Sequence, residues 1–167
     1  CESETNTVVL NPQDDLKEGI QYRVTVLGGA DGIRDIAGNS MNTIEWAFTT
    51  EDKTPPSVSS HIPAADADDV GINSQVSMTF SEDVSNVNRN SISLVRISDG
   101  FTIPIDVIYD RSTYTARLSI PDGSIEFNTG YTVTITGESG TSPLSDLYGN
   151  CLAEDYTWSF VTATEPD

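Results

Sequence analysis

Two short stretches of the chain carry the same polar pattern, Asp35-x-x-Gly38-Asn39 and Asp146-x-x-Gly149-Asn150. Asp and Asn oxygens, joined by loop carbonyls, are what a hard cation such as calcium takes, about six to eight at a time. Each stretch offers two such side chains. The same residues also build a tight turn: Asp accepts backbone N–H bonds, Gly supplies positive φ, and Asn tolerates the left-handed region. Both readings stand on the sequence alone.

A third stretch, Asp66-Ala67-Asp68-Asp69-Val70-Gly71, is denser in acid. A helix-loop-helix calcium site wants oxygens at alternate positions, Gly at the sixth and Glu at the twelfth. Counted from Asp66, the sixth residue is Gly71 but the twelfth is Ser77, and no helical pattern flanks it. It reads as an acidic loop between two strands, with cation binding as the alternative. The calcium reading thus rests on Asp35, Asn39, Asp146, Asn150, Asp66, Asp68 and Asp69, and calcium is the one cofactor it names.

Catalytic chemistry finds no comparable footing. Glu82-Asp83 would need a second wall to act as paired carboxylates across a cleft. His61, the single histidine, lies in a strand pattern without a nucleophile elbow nearby. No phosphate-cradling glycine loop, Cys-x-x-Cys pair or basic patch occurs. The chain is therefore expected not to be an enzyme. Cys1 and Cys151 stand at non-equivalent places and read as free thiols rather than a repeated framework of bridges. Cys1 also matches the first residue of a mature bacterial lipoprotein, although such a chain would not begin inside a domain.

These residues must be held by strands. The chain has 167 residues, 37% hydrophobic and 8% aromatic, enough for a sandwich core. With 26 acids against 8 bases, its charge of −18 repels phosphate backbones and anionic lipid. Nucleic acid is excluded as a partner. No apolar run approaches the ~18 residues of a membrane span, so no membrane insertion is expected.

Period-two alternation predicts seven strands in the second part of the chain: 57–62, 75–81, 91–97, 102–109, 114–120, 131–135 and 156–161. Pro104 marks the fourth as an edge strand or a bulged one. Asp99-Gly100, Asp122-Gly123, Asn128-Thr129-Gly130 and Gly149-Asn150 supply turns between them. Seven short, half-polar strands in a span of this size imply an all-β, immunoglobulin-like antiparallel β-sandwich.

The pattern then repeats backwards. Tyr22-Arg23-Val24-Thr25-Val26, Asp35-Ile36-Ala37-Gly38-Asn39 and Trp46-Ala47-Phe48-Thr49-Thr50 return, in order, as Tyr131-Thr132-Val133-Thr134-Ile135, Asp146-Leu147-Tyr148-Gly149-Asn150 and Trp158-Ser159-Phe160-Val161-Thr162. The offsets are 109, 111 and 112 residues, about the size of a domain. Residues 1–50 thus form the second half of a module, with strands at 7–10, 22–26 and 44–50. Residues 51–56 (Glu51-Asp52-Lys53-Thr54-Pro55-Pro56) form a stiff linker, 57–162 a complete module, and 163–167 the start of a further linker. Trp46, Phe48, Trp158 and Phe160 alternate along a strand and read as core. A lone half module would bare Val8, Leu10, Tyr22, Val24, Val26, Trp46 and Phe48. A second copy of the chain, forming a homodimer by sheet packing or strand exchange, is expected to cover them, with upstream sequence as the alternative.

The ordered set Thr54-Pro55-Pro56, Ile62-Pro63-Ala64-Ala65-Asp66, Met78-Thr79-Phe80-Ser81-Glu82, Tyr131 to Ile135, Asp146 to Asn150 and Trp158-Ser159-Phe160 resembles the bacterial Ig-like domain of the SbsA surface-layer type. The resemblance covers the complete module, and residues 1–50 resemble the latter half of another. It implies a β-sandwich used in tandem in exported or cell-surface proteins, neighbouring Ig-like modules as partners, and no catalysis. It implies calcium binding or adhesion for some members. Distant similarity to copper-carrying sandwiches implies histidine ligands, and this chain has only His61. The function expected is a structural spacer located outside the cell or at its surface. A calcium-dependent adhesion or ligand-binding module, or an accessory domain of an extracellular hydrolase, is the alternative.

Overall fold

Alternating side chains leave each strand with one face to bury, and sheets stack to bury it. The computed structural model describes residues 7–166. Twelve strands and no helix occur among them. The chain divides into two compact units, Cys1–Lys53 and Thr54–Asp167.

The first unit contains β1 (Gln21–Val26) and β2 (Ile44–Thr49), an antiparallel pair that sets Tyr22 opposite Phe48 and Val24 opposite Trp46. The second contains β3 (Val58–Ile62), β4 (Ala67–Val70), β5 (Ser77–Phe80), β6 (Val84–Ser85), β7 (Ile92–Arg96), β8 (Asp106–Asp110), β9 (Thr115–Ser119), β10 (Gly130–Ile135), β11 (Ser145–Asp146) and β12 (Tyr156–Thr162). They form two four-stranded sheets, ordered β4-β12-β10-β7 and β3-β5-β9-β8, with β6 and β11 paired as a small third.

The two large sheets of the second unit share one core. Met78, Phe80 and Ala116 from one sheet, and Leu94, Tyr131, Val133 and Phe160 from the other, are all at most 3% exposed. Burying each large side chain contributes about 1.5–3 kcal/mol. Trp158 belongs to this core, 4% exposed, and its ring stacks on His61 at 4.4 Å. His61 also holds the Pro63 carbonyl oxygen with Nδ1 at 2.7 Å. The lone histidine is thus a packing residue.

Three features differ from the sequence expectation. Residues 67–70, read as acidic loop, form the edge strand β4. It runs parallel to β12, whereas every other named pairing is antiparallel. Ala67 and Val70 pack on the core while Asp68 and Asp69 face out, and Asp69 at φ 57° marks the irregularity in its register. Outward acids on an edge strand deter pairing with another chain. The strand expected at 102–109 begins only at Asp106. Upstream of it, the Ile103 N–H donates to the Leu94 carbonyl at 2.8 Å, so the segment leaves one sheet and enters the other across Pro104. Residues 7–10 are not a strand. Cys1 lies outside the described residues, and Cys151 is a half-buried free thiol.

Candidate functional site

The two Asp-x-x-Gly-Asn stretches adopt one geometry. The Asp146 N–H donates to the Asn150 carbonyl at 2.9 Å, and the Asp35 N–H to the Asn39 carbonyl at 2.9 Å. Gly149 (φ 95°) and Gly38 (φ 87°) take the left-handed conformation that closes the loop. The bridges Ser145↔Cys151 and Arg34↔Ser40 flank it.

The carboxylates point inward to this turn. Asp146 Oδ1 accepts the N–H groups of Tyr148 and Asn150, both at 2.8 Å, and Oδ2 accepts the Asn150 side-chain amide at 2.7 Å. Asp35 accepts the Asn39 N–H at 2.7 Å and its side-chain amide at 2.8 Å. Asp146 is 2% exposed, so burial pushes its carboxyl up. The bonds from Asn150, Tyr148 and Gly149 outweigh this and leave it below the ordinary value. Exposed Asp35 is lowered too, chiefly by the Asn39 side chain and backbone. Each Asn thus presents its side-chain N–H₂ to the Asp.

Asp66, Asp68 and Asp69 are exposed at and before β4, where the Asp66 N–H donates to the Ser159 carbonyl at 2.8 Å. They lie on the edge of a different sheet from Asp146 in β11. Asp83 accepts the Tyr109 hydroxyl at 3.0 Å and pairs with Arg111 at 3.2 Å. That arrangement ties the β5–β6 connection to β8. The concavity of about 490 Å³ beside Gln75, Leu118 and Ile120 has Asp122 as its sole titratable lining residue.

What the repeat reproduces goes beyond the turn. The Tyr131 hydroxyl accepts the Glu126 N–H at 2.9 Å, and the Tyr22 hydroxyl accepts the Lys17 N–H at 3.0 Å. Thr162 Oγ1 donates to the Glu126 carbonyl at 2.6 Å and accepts the Thr129 N–H at 2.9 Å. Thr50 Oγ1 does the same with Lys17 at 2.6 Å and Ile20 at 3.0 Å. A Cβ on Gly137 would come within 2.3 Å of the Glu154 backbone, and one on Gly28 within 2.1 Å of the Met41 carbonyl. Both sites require glycine. The Tyr and Thr staples were missed as bonding groups by sequence reasoning, although their recurrence in both copies was the available signal.

One property is not reproduced. Trp158 and Phe160 are 4% and 3% exposed, whereas their counterparts Trp46 and Phe48 are 47% and 40% exposed. In the first unit the polar face carries Arg23, Thr25 and Glu45, linked to one another. The opposite face, with Tyr22, Val24, Val26, Ile44, Trp46 and Phe48, is an open apolar surface. Beside it, Val8 and Leu10 help line a groove of about 760 Å³.

The family comparison reproduces the repeat. The family described as "Bacterial Ig-like domain" matches residues 1–50 and again 52–162. A curated relative, an S-layer protein of Geobacillus stearothermophilus, is 26% identical over 183 residues. The match covers 96% of this chain and 15% of that protein, so the chain spans only a small part of its length. Among solved structures, the N-terminal part of the bacterial S-layer protein SbsC is similar at 20% identity and a TM-score of 0.47, over 68% of this chain and 24% of that one. A longer form, SbsC residues 31–844, matches at 21% identity and 0.46, over 68% and 14%. No helix among the described residues is long and apolar enough to cross a membrane.

Proposed function

Because the chain belongs to the bacterial Ig-like domain family, we propose that it is a non-catalytic structural module of an exported, cell-surface protein. Its task is to carry tension and set spacing between neighbouring Ig-like modules. The curated S-layer protein it is similar to supports the surface location and the structural role. The repetition of the module, with a Pro-Pro segment at the junction, supports the tandem arrangement.

The observation that carries the mechanical reading is the parallel pairing of β4 with β12. β4 lies near the start of the complete module and β12 ends it. In a parallel pair, a pull at the start of one strand and at the end of the other loads the bonds together, in shear. Here Phe160 stands opposite Ala67 and Thr162 opposite Val70. The Asp66 N–H bond to Ser159 and the Ala163 N–H bond to Val70, each 2.8 Å, close the two ends. Tension entering at Thr54 reaches β3 first and then this clamp.

Stretching single molecules held at the two termini tests the reading. The complete module should yield in one event that lengthens the chain by about 350 Å, given ~3.4 Å per extended residue. Ala163→Pro removes one clamp donor. It should lower the force of that event markedly while costing only about 1 kcal/mol at equilibrium. Gradual lengthening at low force would contradict the proposal, as would an Ala163→Pro chain that melts lower but yields at the same force.

A further inference from the structure

We infer that the bare apolar face of the first unit is the receiving half of a split sandwich. Its partner is an antiparallel sheet of the kind that β3, β5, β9 and β8 form, the front half of an Ig-like module. The chain itself displays the complement. In the complete module the equivalent face meets that sheet, which brings Met78, Phe80, Ala116 and Leu118 to the core and stacks His61 on Trp158.

The receiving residues match in kind. Tyr22, Val24, Trp46 and Phe48 stand where Tyr131, Val133, Trp158 and Phe160 stand, in the same cross-strand register. The Tyr22–Phe48 rings stack at 5.9 Å, as the Tyr131–Phe160 rings do. Val26, Ile33 and Met41 replace Ile135, Leu144 and Leu152, and the Met41 N–H bond to Ile33 repeats that of Leu152 to Leu144. Surfaces with the same shape and hydrogen-bonded frame select the same cover.

The edges point to the same occupant. β10 is flanked by β12 and β7, and β12 by β10 and β4, whereas among the described residues β1 and β2 pair only with each other. A front half supplies the counterparts of β4 and β7 along with the covering sheet. A second copy of the bare face supplies neither. It would also set Trp46 and Phe48 against equally bulky side chains, where the complete module offers a residue as small as Ala116. Close packing favours large against small.

Two experiments test this. In the first, residues 1–14 of the full chain are replaced by a copy of residues 54–123, which joins the sequence at the repeat-equivalent position. Hydrogen exchange of residues 21–49 should slow at least ~100-fold, towards that of residues 130–162. Trp46→Ala in the same chain should reverse the slowing. Unchanged exchange at 21–49, with 130–162 still protected, would overturn the inference. So would sedimentation of the unaltered chain as a dimer in which 21–49 is already protected, since a second copy would then be the occupant. The second experiment places the receiving face on the complete module, through Ile135→Val, Leu144→Ile and Leu152→Met together. The module should keep a single cooperative melting transition, lowered by about 10 °C or less. Loss of that transition would show that the two faces do not take the same cover.

Discussion

Asp146 carries the turn that the sequence repeats, and its chemistry sets a pH signature. Its carboxyl is lowered in the folded chain, so the unfolded chain binds the proton more readily. Stability from this group is present above the ordinary value of 3.8 and drains away as pH falls below it. Asp146→Asn turns an acceptor towards the Asn150 amide into a donor. It should lower stability at pH 7 by about 1.5–3 kcal/mol and flatten the acid limb of a melting-temperature profile below pH 4. An unchanged acid limb in the variant would mean that other carboxylates supply that slope. The Asp-x-x-Gly-Asn turn was legible because its residue types are the ones that bend a chain. The staples of Tyr131 and Thr162 were not, since they bind backbone groups of Glu126 and Thr129, whose side-chain types carry no trace of the bond.

At the scale of the element, β2 and β12 are nearly one sequence in two environments. Trp158→Ala empties a filled core and should cost ~3–5 kcal/mol in the complete module. Trp46→Ala should cost the first unit under about 1 kcal/mol, because its ring is already half exposed. Chemical denaturation of each variant, followed by a probe specific to each unit, measures the contrast. Trp158 Nε1 is buried without an acceptor, so Trp158→Phe should cost less than truncation, by removing that orphan donor along with some apolar area. Alternation placed the central strands well. It failed at β4, where acids on an edge mask two inward apolar residues, and at 102–105, where alternation continues although the segment is changing sheets. The strand read at 7–10 has no ladder partner among the described residues, which is the condition that alternation alone does not test.

The whole molecule is acidic, and its charge of −18 attracts divalent cations. Its Asp turns direct their carboxylates at backbone and amide donors. Melting in millimolar calcium should therefore match melting with chelator, apart from a small screening effect. A specific ion held at 100 times its dissociation constant would instead add ~2.7 kcal/mol. Family membership and the sandwich were legible from the ordered signatures. The β4–β12 pairing was not, because a parallel pairing between residues some ninety positions apart leaves no local pattern.

The account's central claim is that sheet-on-sheet burial makes this fold firm, since β1 and β2 pair in the same register as β10 and β12 but lack a covering sheet. Hydrogen exchange on a dilute monomer of the unaltered chain tests it most directly. Residues 131–135 and 156–162 should exchange more than ~1000-fold more slowly than 22–26 and 44–49. Equal protection of the two pairs would contradict it.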